Sequence, residues 1–205
     1  WRGWLHAVRG VMRISHNDTM VAARLSLNVY QQPRDWLVHE DDLGTTWVAI
    51  EGSDEMVDWR RNLELLYSLS DTHVGFANYA TLLMAEMLAA SAPLDRYARL
   101  ILCGHSLGGA VATIIASHLQ DYFPFLGLVT FGSPRPGGRK FRNRLRVPHH
   151  RFVHGADLVP HFPSTFLGFR HVTRPLVLPV PNDGLLNSIA DHAMAGYINS
   201  LLGPQ

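Results

Sequence analysis

The 205-residue chain is short of several things. It has one cysteine, Cys103, which excludes an intramolecular disulfide and any zinc site built on several thiolates. It has one lysine, Lys140, against 17 arginines. It has no excess of either charge sign: Lys and Arg number 18, Asp and Glu 17, for a net charge of +1. Binding nucleic acid through bulk positive charge is therefore not expected, and no aromatic residues are interleaved with the basic ones to stack bases. No apolar run reaches the roughly 18 residues of a membrane span; Glu86, His105 and Gly108 interrupt the longest ones. There is no internal repeat, low-complexity tract or linker. The expectation is one soluble domain over residues 1–205, touching lipid interfaces at most peripherally. Compartment, secreted or cytoplasmic, and oligomeric state stay open.

What is present is a globular composition, 47% hydrophobic and 17% charged. Charge is unevenly placed along it. From Asp35 to Asp71 there are ten acids against Arg60 and Arg61; from Arg135 to Arg151 there are seven bases and no acid. Two solvated faces account for this pattern, and a meeting of 139–146 with an anionic surface is the sharper alternative.

Periodicity predicts helices over 18–30 (capped by Asn17 or Asp18), 74–90, 107–120, 139–145 and 188–202. Short β-rich runs lie at 36–39, 45–51, 99–103, 125–131, 151–154 and 172–178, the last interrupted by Pro175. Strands alternating with helices of this length predict an α/β fold with a mainly parallel central sheet and helices on both faces.

The strongest chemical signal is Gly104-His105-Ser106-Leu107-Gly108, a G-x-S-x-G pattern. An apolar strand enters it and an apolar helix leaves it, the context of a nucleophile elbow. The tight turn puts Ser106 at its apex, and side chains at 104 and 108 would collide with neighbouring backbone. A serine needs a base, and the base an orienting carboxylate. On this fold the order is serine, acid, histidine. Asp157 follows a strand 51 residues beyond Ser106, with Asp183 and Asp191 as further acids. Of the seven later histidines, His192 is the best base and His171 the reserve. Cys103 reads as a small buried hydrophobe, His73 and His105 as scaffold. The His149, His150 and His154 group alternates along a strand without nearby carboxylates, so no metal is expected.

The sequence resembles the class 3 lipase family, the fungal-type triacylglycerol lipases with their feruloyl esterase and phospholipase relatives. The resemblance runs from about residue 22 to 197. It is carried by Trp47-Val48-Ala49-Ile50-Glu51-Gly52-Ser53, Asp58-Trp59, His73-Val74-Gly75-Phe76, the elbow, Thr130-Phe131-Gly132-Ser133-Pro134-Arg135-Pro136-Gly137, Asp157-Leu158-Val159-Pro160 and Asp191-His192. It implies an α/β-hydrolase fold and a cofactor-free carboxylic ester hydrolase acting on acyl esters or lipids. Ser106 is the implied nucleophile, His192 the base and Asp157 its orienting acid. The implied oxyanion hole is Ser53 and the Leu107 N–H. Glu51 stands where the family commonly has Arg. Residues 53–60 take the place of the family's lid, expected to be short and weak. Phe162, Phe166, Leu167, Phe169, Leu178, Val180, Leu185 and Leu186 are candidates for an acyl pocket or for core. Phospholipase A1 or feruloyl esterase activity, acyl transfer, and non-catalytic lipid binding are the alternatives.

Overall fold

A computed structural model describes residues 12–52, 71–90, 98–155, 157–179 and 191–203. Ser53, Val180, Leu185, Leu186 and the 53–60 segment lie outside the described residues.

Six strands form one sheet in chain order: β1 (Trp36–Glu40), β2 (Thr45–Ile50), β3 (Arg99–His105), β4 (Leu126–Phe131), β5 (His149–His154) and β6 (Pro175–Leu178). β1 and β2 are an antiparallel hairpin; every later pairing is parallel. The hairpin turn is built by Asp41, whose carboxylate accepts from the Leu43 and Thr45 amides and the Trp47 indole. The helices are α1 (His16–Asn28), α2 (Val74–Ala89), α3 (Leu107–Leu119), α4 (Arg139–Arg144) and α5 (Met194–Leu202).

β2, β3 and β4 are almost continuously apolar because both faces of a parallel sheet are covered. The strand period of two then divides their side chains. Val48, Ile50, Leu100, Leu102 and Leu128 join Phe76, Leu83 and Met87 of α2, Ile114 and Ile115 of α3 and Phe141 of α4 in one core. Trp47, Ala49, Ile101, Cys103, Val129 and Phe131 meet Ala22, Ala23 and Leu25 of α1 and Met194 and Tyr197 of α5 in the other. Each large side chain so buried contributes roughly 1.5–3 kcal/mol. α3 is buried along nine consecutive residues, Gly108–Ala116, and its two leading glycines are poor helix formers. Packing on both sides, not propensity, holds it.

Several boundaries differ from the sequence reading. α1 begins at His16 and its N-cap is Ser15, not Asn17 or Asp18. Asp18 is instead the acidic partner of a capping box. Its carboxylate accepts from the Ser15 amide at 2.6 Å, and its amide donates to the Ser15 hydroxyl at 3.0 Å. The same carboxylate takes Arg99 at 2.6 Å and so ties α1 to the start of β3. β3 runs on through Gly104 and His105, and β5 starts earlier, at His149. β6 begins at Pro175 and does not span it. Asp191 and His192 are helical, and a bend at Ala193 separates them from α5.

Candidate active site

The carboxyl ends of the parallel strands build the site. Ser106 lies between the end of β3 and the start of α3 with φ 54° and ψ −129°, a positive φ that non-glycine residues rarely adopt. Such a conformation costs on the order of 1–3 kcal/mol and persists where the surroundings enforce it. Here the Ser106 amide donates to the Phe131 carbonyl at 2.9 Å, and its own carbonyl accepts from the Gly109 amide at 3.0 Å. The turn also requires absent side chains. A Cβ at Gly104 would sit 2.5 Å from the Gly108 carbonyl carbon, and one at Gly108 would sit 2.2 Å from the Ile50 carbonyl oxygen. The Ser106 hydroxyl is buried without a hydrogen-bond partner. The amide of Leu107 opens α3, where the helix itself leaves donors unused.

Asp157 follows β5 and is buried. One carboxylate oxygen accepts from His192 Nδ1 at 2.8 Å and from the Tyr197 hydroxyl at 2.6 Å; the other accepts from the Val159 amide at 2.9 Å. Burial and the neighbouring Asp157 charge push the Tyr197 hydroxyl well above its ordinary value, so it stays a donor. A carboxylate against Nδ1 places the imidazole proton there and leaves Nε2 as the acceptor. His192 Nε2 is buried without a partner, like the Ser106 hydroxyl. Gly132, at φ 57°, lets the end of β4 lie against this pair. A Cβ there would come within 2.8 Å of Asp157 and 3.0 Å of His192.

The backbone around His192 is clamped from two sides. His105 Nε2 donates to the His192 carbonyl at 2.7 Å, while His105 Nδ1 accepts from the Tyr30 hydroxyl at 3.0 Å. Burial, with His192 adding to it, pushes His105 down to about 3, so the ring is neutral and this donor–acceptor assignment holds. His154 Nδ1 donates to the Asp191 carbonyl at 3.1 Å. The His105 and His192 rings lie 4.5 Å apart, which brings His192 to the elbow.

The Lipase (class 3) family model matches residues 47–167, more than half of the chain, and takes in Ser106 and Asp157 but not Tyr30, Asp191, His192 or Tyr197. The chain belongs to the class 3 lipase family. It is 34% identical over 140 residues to secreted mono- and diacylglycerol lipase 1 of Fusarium solani, covering 62% of this chain and 41% of that protein. It is 29% identical over 150 residues to a lipase of Rhizomucor miehei, covering 64% and 41%. The fold matches the crystal structure of a mutant form of MDLA from Penicillium cyclopium with a TM-score of 0.64 at 23% identity, over 75% of this chain and 62% of that one. The chain thus spans about two fifths of the length of these curated relatives.

Within this class 3 lipase chain, the structure brings Asp157 and His192 together and sets Ser106 at the strained apex, as the sequence predicts. Of the two expected oxyanion donors, Leu107 is the first residue of α3. Ser53 is not described, but the preceding residue is: a Cβ on Gly52 would lie 3.1 Å from the Ser106 Cβ. His73 caps α2 by accepting from the Phe76 amide. The histidines of β5 spend ring nitrogens elsewhere, His149 on the Thr130 hydroxyl at 2.9 Å and His154 on Asp191. His171, the reserve base, is turned to the Pro160 carbonyl at 2.7 Å. The acyl-pocket candidates do not share one environment. Phe169 is buried beside His73, Phe162 packs on the α2–α3 core and Leu178 on the α1–α5 core, while Phe166 is fully exposed. Sequence reasoning missed Tyr30 and Tyr197. No local pattern marks either: Tyr197 is five residues past His192, across a bend at Ala193, and Tyr30 follows α1.

Proposed function

We propose that this chain hydrolyses carboxylic esters, acylglycerols among them, through Ser106, His192 and Asp157. The observation that carries the reading is the buried His192–Asp157 pair at 2.8 Å, with Nε2 free to accept, together with a strained serine at the adjoining elbow whose buried hydroxyl is also without a hydrogen-bond partner among the described residues. His192 Nε2 takes the Ser106 proton as the hydroxyl attacks the ester carbonyl. Asp157 stabilises the imidazolium that forms and holds its orientation. The Leu107 amide, with Ser53 as the second donor, holds the oxyanion; losing one such donor costs about 10²–10³ in turnover. His192 then protonates the leaving alcohol and activates water against the acyl-enzyme. The names of the Fusarium and Rhizomucor relatives support acylglycerols as the substrate class.

The test is p-nitrophenyl ester hydrolysis across acyl lengths by wild type and Ser106→Ala. Wild type should turn over, and Ser106→Ala should fall by at least about 10³. The preferred acyl length then separates a short-chain esterase from a lipase. Equal rates from two folded proteins would overturn the reading. In the same assay, product ester formed on added alcohol would mark acyl transfer.

A further inference from the structure

Paired residues of a parallel sheet share a face, and the register sets His149 beside Leu128 and Arg151 beside Thr130. Leu128 belongs to the core beneath α2 and α3, so the side chains of His149 and Arg151 enter that side of the sheet. The 2.9 Å bond between the Thr130 hydroxyl and His149 Nε2 agrees with this placement.

Arg151 is 5% exposed. A buried cation is ordinarily paired with a carboxylate, because an unpaired charge is costly to take out of water. Arg151 has no such pair: among the described residues no carboxylate lies within ion-pair distance of it. Its Nε donates to the Thr173 carbonyl over a long 3.3 Å. Its two Nη groups donate to nothing among the described residues, and neither is sealed from solvent.

The surroundings add to the imbalance. Nine of the 18 Lys and Arg fall between Arg135 and Arg174, where the one acid is Asp157. That acid is spent on His192, Tyr197 and the Val159 amide. Arg135 donates to the carbonyls of His161 and Pro163, and Arg170 to those of Thr165 and Phe169. Carbonyls occupy these donors but do not cancel the charge. Burial, with repulsion from Arg135, brings Arg151 down to about 10, so it is still a cation at neutral pH. The group that would favour its charge is an ionised Tyr197, and that hydroxyl stays protonated. His149 and His171 are kept neutral by burial and by Arg151. With His149 Nε2 accepting from Thr130, the Nδ1 proton is buried and has no acceptor.

A guanidinium with its fork unspent, amid positive charge and without an acid, matches the paired oxygens of an oxyanion. The charge excess favours a dianion over a monoanion. We infer that Arg151, with His149 as a second donor, binds a small dianionic oxyanion of the phosphate class where β5 faces the 160–173 segment. The fork is too deep for a phosphate fixed in a bilayer surface, so the ligand is a free ion. The assignment does not depend on the ester-hydrolase reading.

The experiment titrates the full chain calorimetrically with inorganic phosphate above neutral pH, at an ionic strength held constant with sodium chloride. Saturable binding of one phosphate per chain is expected. Arg151→Met should weaken it by at least about tenfold, the loss of one charged hydrogen bond. Acetate, a monoanion, and glycerophosphocholine, a lipid headgroup, should each bind at least about tenfold more weakly than phosphate; equal affinity for either would overturn the free dianion. Because Arg151→Met also removes a buried charge, in chloride it should unfold at no lower urea concentration than wild type. Phosphate should raise the wild-type midpoint more than the variant's. Should Arg151→Met not fold, Arg151→Lys keeps the charge without the fork and should show the same tenfold loss. No saturable binding to wild type, or binding that survives the substitution, would overturn the site. So would an Arg151→Met protein that unfolds earlier in chloride while wild type ignores phosphate, since that arginine serves packing alone.

Discussion

At the scale of single residues, the site depends on groups that never meet a reacting atom. Tyr197 shares with His192 the same oxygen of Asp157 and gives the carboxylate a second side-chain donor. Tyr197→Phe removes that 2.6 Å bond and leaves the ring in its packing. Turnover should fall on the order of tenfold to a hundredfold with KM little changed, because orientation is lost and substrate contact is not. Steady-state kinetics of the variant measures this split. His105 is the neighbouring case. Its place within G-x-S-x-G made it legible as scaffold, but its partners Tyr30 and His192 lie 75 and 87 residues away in sequence. Pairing over such separations is created by the fold, and no local pattern announces it.

At the scale of elements, the strands and helices that read clearly are the ones with long apolar runs. β3, α3 and β4 are covered on both sides, and their hydrophobicity is nearly unbroken. Where side-chain hydrogen bonds decide a boundary, the sequence reading slipped. The start of α1 turned on Ser15 and Asp18 capping one another, and the start of β6 on Pro175, which has no amide to pair. Asp18 also makes α1 pH-sensitive. Burial alone would raise its carboxyl; bonds from Arg99 and Ser15 outweigh that and hold it at about 2. A carboxylate lowered in the folded state adds stability above its unfolded value near 4, and that stability is lost as pH falls toward 2. Asp18→Ala should therefore cost roughly 2 kcal/mol at neutral pH, from the cap and the charged hydrogen bonds together. Its deficit relative to wild type should shrink between pH 4 and 2, as urea unfolding at each pH would show.

At the scale of the whole molecule, the buried histidines set the acid limit. Burial pushes His105 and His149 each down to about 3, and His171 is lowered too by burial and by Arg151. Unfolding returns them to values near 6.5, so between 6.5 and 3 the unfolded chain binds more protons. Stability is then complete above pH 6.5 and falls by about 1.4 kcal/mol per pH unit for each such histidine below it. Urea midpoints should drop steeply from pH 6.5 to 5. A flat profile there would show that these rings protonate without unfolding. The global architecture was the most legible level of all, since alternating strands and helices admit few arrangements once the sheet is parallel.

The sequential order of the sheet bears on how the chain comes to be active. Each strand leaving the ribosome meets its partner already made, because none has to pair with a strand still to come. The nucleophile turn can form once β4 supplies the Phe131 carbonyl to Ser106. His192, the proposed base, follows later in the chain, and α5 then packs in one core with α1. The serine turn is therefore complete some 60 residues before His192 is made, and the proposed triad is assembled only when the stretches at the two sides of the fold meet.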